Sequence, residues 1–205
     1  MSLDPYLLEK VDSAGEAGTK FWGGLSDMVL DLVRKRLVTK QIVLDIGYDR
    51  ESLTGDRGKN YTGPVAMDHY GRKVPKHAHG TIRIDHYTSS THAIMDAVLE
   101  LYDRVVNRDL LIRRVNIAAC NLISEDDVPE DKPMQLDMFT DYEQLERDQK
   151  AQRAAEEKER KLQRVTLAIQ DRFGKNAMLK GMNLMEGGTT IDRNGQIGGH
   201  KAGDE

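Results

Sequence analysis

A single cysteine, Cys120, leaves the 205-residue chain without an intramolecular disulfide or a multi-cysteine zinc site, so a reducing, cytoplasmic setting is expected. Long apolar runs are missing too. None approaches the roughly 18 residues that a membrane span needs, and 31% of the residues are charged. Residues 1–20 carry Asp4, Glu9, Lys10, Asp12 and Glu16 and lack the continuous apolar stretch of a signal peptide, which argues against secretion. There is no P-loop, no GxSxG and no Rossmann glycine run after a strand, so the common nucleotide-binding and hydrolase signatures are excluded. The net charge of −4 carries no overall mark of nucleic-acid binding. Any such contact must come from local charge distribution.

What is present is enough apolar sequence, 39%, for the core of one ordinary domain with appendages, and a sharp division by charge. Lys40 to Ile123 holds 12 Lys and Arg against 10 Asp and Glu, whereas Glu125 to Asp148 holds 10 acids against Lys132 and Arg147. Pro129 and Pro133 fall within the acidic stretch, which marks a boundary after Ile123. The expected organisation is an atypical N-terminal segment (1–25), a compact unit (26–123), an acidic linker (124–140), a charged helix (141–173) and a Gly-rich tail (174–205). Glu146 to Lys161 is almost wholly charged residues, Gln and Ala, a composition that favours helix but offers no wide apolar face. That helix is expected to stand in solvent. Apolar residues return at Leu162, Val165, Ile169 and Phe173, and eight glycines from Gly174 to Gly203 read as a mobile tail.

The compact unit reads as α+β. Ser26 or Asp27 offers an N-cap to a helix with Met28, Val29, Leu32, Val33 and Leu37 on one side. Gln41 to Tyr48 alternates as a strand, with Ile42, Leu44, Ile46 and Tyr48 on one face and Asp45 and Gly47 on the other. Thr81 to Asp85 repeats the alternation, with Ile82 and Ile84 inward. Between them lies a long polar, Gly-rich connection, Asp49 to Gly80. Hydroxyls from Thr88 to Thr91 offer caps to a helix with Ile94, Val98, Leu101 and Val105. A last strand, Ile112 to Ile123, places Val115, Ile117 and Ala119 inward and Arg114 and Asn116 outward. The order α, β, β, α, β predicts a small, at least partly antiparallel sheet with two helices on one face and a polar opposite face.

The densest chemical signal is Asp68 to His92, which contains Arg72, Lys73, Lys76, Arg83 and five of the six histidines, opposed only by Asp68 and Asp85. A basic loop entering a strand with Thr81 and Arg83 outward can lay cations, hydroxyls and backbone N–H groups along a phosphate backbone without reading sequence. A solvated connection with no partner explains the same composition, and both readings stand at this point. His77 and His79, with His69, His86 and His92, also permit a zinc or iron site, although the adjacent Lys and Arg would repel a cation. The pairs Asp49/Glu51 and Asp126/Asp127 read as solvated surface, and Cys120 as a small packing residue. A second signal is Gln135-Leu136-Asp137-Met138-Phe139, an apolar cluster inside acidic sequence. It reads either as a docking peptide for a partner's pocket or as a segment folded back on the domain.

These residues resemble a known family. Tyr61 to Ile123, above all DHYGRKVPKHAHGT, TSSTHAIMDAV and LLIRRVNIAACNLI, resembles the C-terminal little-finger domain of bacterial Y-family, UmuC-like translesion DNA polymerases. RFGKNAMLKGMNLMEGGTTIDRNGQIGGHKAG resembles the ending of the Gram-positive branch, and QLDMF matches the pentapeptide that holds the β sliding clamp. The resemblance implies a split β-α-β-β-α-β domain with its sheet against DNA. Arg72, Lys73, Lys76, His77, His79, Thr81, Arg83 and Arg114 would lie on or beside the DNA face, and Gln135, Leu136, Asp137, Met138 and Phe139 would contact the clamp. It implies no catalysis and no cofactor here, since nothing in the chain supplies the carboxylates that hold magnesium in the parent polymerase. Residues 1–25 depart from the family's usual first strand. The expected protein is a monomer with no membrane contact that grips primer-template DNA and tethers it to the clamp. A clamp-binding adaptor without DNA affinity and a histidine-cluster metal hydrolase are the alternatives.

Overall fold

Alternation along one long strand organises the domain. In β1 (Leu37–Tyr48) the side chains of Ile42, Leu44, Ile46 and Tyr48 are buried, and the residues between them are partly exposed. The computed structural model describes residues 23–129, 142–179, 190–197 and 200–201. Along the chain, α1 (23–34) leads into β1, and β1 into a turn of 3₁₀ helix (Arg50–Leu53) and the short α2 (Gly55–Asn60). Two short strands, β2 (Val65–Met67) and β3 (Lys73–Pro75), form a hairpin before β4 (Ala78–Thr88). Then come α3 (Thr91–Val105), β5 (Ile112–Cys120), β6 (Ile123–Ser124) and the 32-residue α4 (Tyr142–Phe173).

The sheet has the order β4-β1-β5, with β6 pairing the first residues of β1, and each of these pairings is antiparallel. The α+β expectation therefore holds, and the sheet is antiparallel throughout its described pairings. Helices α1 and α3 cover one face. Leu25, Val29 and Leu32 of α1 and Ile94, Val98 and Leu101 of α3 join the inward residues of β1 and Ile82 and Ile84 of β4 in one core. Each such side chain, fully withdrawn from water, contributes about 1.5–3 kcal/mol. Of the atypical N-terminal segment 1–25, residues 1–22 lie outside the described residues.

Several boundaries differ from the sequence expectation. Helix α1 already runs at residue 23, so Ser26 and Asp27 lie inside it rather than capping it, and Leu25 belongs to the core. A turn follows it at residues 35–36, where Arg36, with a φ of 53°, turns the chain back, so Leu37 opens β1 instead of extending the helix face. The connection Asp49 to Gly80 is built rather than open. Asp49 caps the 3₁₀ turn by accepting from the Glu51 amide at 2.9 Å, and buried Ser52 accepts from the Leu111 amide at 2.9 Å. The expected strand Ile112 to Ile123 is interrupted at Asn121, φ 51°, which redirects β6 toward the start of β1.

The largest correction concerns α4, which does not simply stand in solvent. Glu159, 9% exposed, and Gln163, 6% exposed, share a stripe with buried Leu167 at helical spacing. The Glu159 carboxylate accepts from the Ser90 hydroxyl at 2.6 Å and from the Thr91 amide at 2.8 Å, adding a second cap to α3, whose own Ser90 Oγ accepts from the Ala93 amide. Gln163 donates to the Ser89 carbonyl and the Thr91 hydroxyl, both at 3.1 Å. Glu156 contacts His86 at 2.8 Å and accepts from Thr88 at 3.0 Å. Burial alone would push the Glu156 carboxyl up, but the His86 and Thr88 hydrogen bonds and the nearby His86 hold it below its ordinary value. Beside this stripe Glu125 pairs with Arg160 and, at 3.1 Å, with Arg164, while Arg36 reaches Asp126 at 2.7 Å. Replacing Glu159 by Ala removes the hydrogen bonds that its carboxylate accepts from Ser90, Thr91 and, more weakly, Gln163, and leaves their donors buried. Denaturant unfolding of Glu159→Ala is expected to show a loss of about 2–3 kcal/mol, with faster amide exchange along α4. Unchanged stability and exchange would refute the docking.

Candidate nucleic-acid interface

The face of the sheet away from the helices is set by register. Arg83 of β4 stands opposite Gln41 of β1, Thr81 opposite Val43 and His79 opposite Asp45. On the other edge Asn116 of β5 stands opposite Asp45 and Arg114 opposite Gly47. Because directly paired residues share a face, these side chains make continuous rows across three strands. His79, Thr81, Arg83, Arg114 and Asn116 are exposed. Gly47 has a particular use here: a Cβ at this position would lie 3.5 Å from Arg114 Cβ and 3.8 Å from its Nε, so the Arg114 side chain crosses the middle strand over the missing side chain.

The face is mixed in charge. Asp45 sits at its centre, 3.7 Å from His77 and 3.6 Å from His79, and Asp85 is exposed further along β4. Lys73, Lys76, Arg83 and Arg114 are exposed and have no acidic partner among the described residues. Arg72 differs from them. Its guanidinium binds the Asp68 carboxylate through Nε and a terminal nitrogen, both at 2.7 Å, and lies 4.8 Å over the Tyr70 ring. The Asp68 carboxylate also accepts from the Tyr70 and Arg72 amides at 2.9 Å, and Gly71, φ 73°, closes the turn. These hydrogen bonds hold the Asp68 carboxyl below its ordinary value and raise Arg72 above its own. Arg72 thus shapes the hairpin turn, whereas the other cations point outward.

The structure brings His77, His79, Thr81, Arg83 and Arg114 to one face and sets Arg72, Lys73 and Lys76 on the hairpin and the segment that feeds it. It does not gather the histidines. His69 lies edge-on to Tyr70 and His86 binds Glu156, and among the described residues no three His, Cys, Asp or Glu side chains are grouped to hold a metal ion. Residues 10–138 match the impB/mucB/samB family C-terminal domain. The chain belongs to that family. It carries the C-terminal domain of UmuC-like, Y-family DNA polymerases, proteins of DNA repair and damage tolerance. No curated protein and no solved structure gives a significant match to the chain. Among the described residues no helix is long and apolar enough to cross a membrane.

Gln135, Leu136, Asp137, Met138 and Phe139, at the end of the matched range and one residue beyond it, lie outside the described residues. Residue-by-residue reading missed the contribution of Gly47, because only strand pairing sets it beside Arg114. It also missed Tyr70, hidden in what looked like open loop, although Asp68 two residues before it is a turn signal. As the Asp68 carboxylate is stabilised in the folded turn, its contribution is present above its unfolded pKa and lost as pH falls below the ordinary carboxylate range. Amide exchange at Tyr70 and Arg72, corrected for intrinsic rate, is expected to accelerate on such acidification. In Asp68→Ala the protection is expected to be absent at every pH.

Proposed function

We propose that this chain is the DNA-gripping and clamp-tethering part of a translesion DNA polymerase and acts without catalysing. The observation that carries the reading is the open sheet face, which presents Arg83 and Thr81 in neighbouring rows on one edge strand and Arg114 two rows beyond Thr81 on the other, with Lys73 and Lys76 exposed on the hairpin segment that leads into β4. Cations and hydroxyls on an open three-stranded surface suit phosphate contacts that carry no base preference. The acids Asp45 and Asp85 temper the attraction, which fits a grip that holds without trapping. Nonspecific DNA contacts of this kind typically have Kd values of about 0.1 mM to 1 µM at physiological salt. Gln135-Leu136-Asp137-Met138-Phe139 supplies the second hold, on the β sliding clamp, and two weak contacts joined by a linker raise each other's effective concentration.

Fluorescence anisotropy on primer-template DNA across a salt series tests the DNA contact. The chain is expected to bind at low salt with affinity falling steeply as salt rises. The variant with Lys73, Lys76, Arg83 and Arg114 all changed to Ala should bind more weakly, with a log–log slope shallower by about 3 to 4 if each cation meets a phosphate. No binding at low salt by folded protein, or an unchanged slope, would overturn the DNA reading and favour a clamp adaptor. For the clamp, calorimetry with the bacterial β ring should show binding that Phe139→Ala abolishes while DNA affinity is unchanged.

A further inference from the structure

Three exposed apolar side chains crowd the β2–β3 hairpin: Val65 at 49%, Met67 at 63% and Tyr70 at 77% exposure. Val65 and Met67 share one face of β2, and Lys73 stands directly opposite Met67 on that face. Tyr70 tops the turn between the strands. An apolar patch rimmed by cations is a common mark of an interaction surface. Here the patch is also held in shape. The Asp68 carboxylate takes the amides of Tyr70 and Arg72 and the Arg72 guanidinium, and the Gly71 amide donates to the Asp68 carbonyl at 3.0 Å. Below the tip, the Lys76 amide donates to the Pro64 carbonyl at 2.8 Å, and Pro75 is buried. This rigidity lowers the ordering cost of a contact made by an exposed ring.

We propose that the hairpin tip is a stacking site for an unpaired DNA base, with Tyr70 as the platform. Arg72 lies over the Tyr70 ring at 4.8 Å and His69 meets it in an edge contact at 5.4 Å, yet Tyr70 remains 77% exposed, so most of its ring surface is open to a base. Lys73 and Lys76, both exposed, are placed for the flanking phosphates, so aromatic and cation occur together as single-strand contacts require. The occupant is a nucleic acid rather than an acidic peptide because a planar ring backed by guanidinium favours another planar π surface. The inference rests on the DNA-gripping reading and adds to it a site for single-stranded template beyond the duplex.

The test uses the full chain and three probes: blunt duplex, the same duplex with a single-stranded dT overhang, and one whose overhang is abasic. The chain is expected to bind the dT overhang about ten-fold more tightly than the abasic one. Tyr70→Ala should erase that preference and leave blunt-duplex affinity unchanged, and Tyr70→Phe should keep it. Since Tyr70 is exposed, thermal unfolding of Tyr70→Ala should match the parent chain. Equal binding of dT and abasic overhangs, with duplex still bound, would overturn this proposal alone. Overhang binding without duplex binding would leave it standing and remove the sheet reading, and failure to bind any probe would remove both. Loss of clamp binding in Tyr70→Ala with the dT preference intact would assign the patch to a protein and overturn the proposal.

Discussion

Burial on one side of β1 and pairing on both of its edges constrain the rest of the domain. Ile42, Leu44, Ile46 and Tyr48 must face the helices, so Gln41, Val43, Asp45 and Gly47 must face away. Pairing then aligns β4 and β5 with those outward positions. The candidate interface is in this sense the complement of the core. A one-residue slip of either edge strand would turn Arg83 or Arg114 inward, against a packed apolar layer that cannot accept an unpaired charge. The same burial that stabilises the fold therefore specifies the placement of the surface cations.

The helix layer closes by a different kind of contact. Helix α4 is about 48 Å long and strongly polar, yet its inner stripe meets α3 and β4 through Glu156, Glu159 and Gln163. Glu159 finds what a buried carboxylate needs, a hydroxyl and an amide at a helix N-terminus. Glu125 gathers Arg36, Arg160 and Arg164 around it. Polar contacts of this sort are demanding in geometry, so they favour one docked arrangement over sliding. They also bring the residues on either side of the acidic segment into contact with the same domain.

How much could be read beforehand depends on whether the cause was local. Alternation at Ile42, Leu44 and Ile46, and at Ile82 and Ile84, marks strands because each residue's fate follows from its two neighbours. Ile94, Val98 and Leu101 mark α3 by the same logic at helical period. The hairpin at Val65 to Pro75 escaped, since two three-residue strands carry too little alternation to register. The docking of α4 escaped because periodicity detects apolar stripes. A stripe of Glu and Gln looks solvated until its partners, Ser90 and Thr91 on another helix, are in place.

Arg83 and Arg114 show the division clearly. Each could be placed on a polar strand face from its own neighbours, and the resemblance to Y-family polymerases supplied a reason for that face. That they stand on one face at opposite ends of the paired region, with the rows of Val43 and Asp45 between them, followed only from the antiparallel register of three strands. The difference between Arg72 and Lys73 is likewise tertiary, since the Asp68 turn holds one cation and leaves the next exposed. Composition and periodicity determined the α+β class, the core and the charge of each segment, because those depend on short-range alternation and solvation. Which charges meet, and which remain available for a partner, was decided by strand pairing and helix docking, because these join residues far apart in the chain.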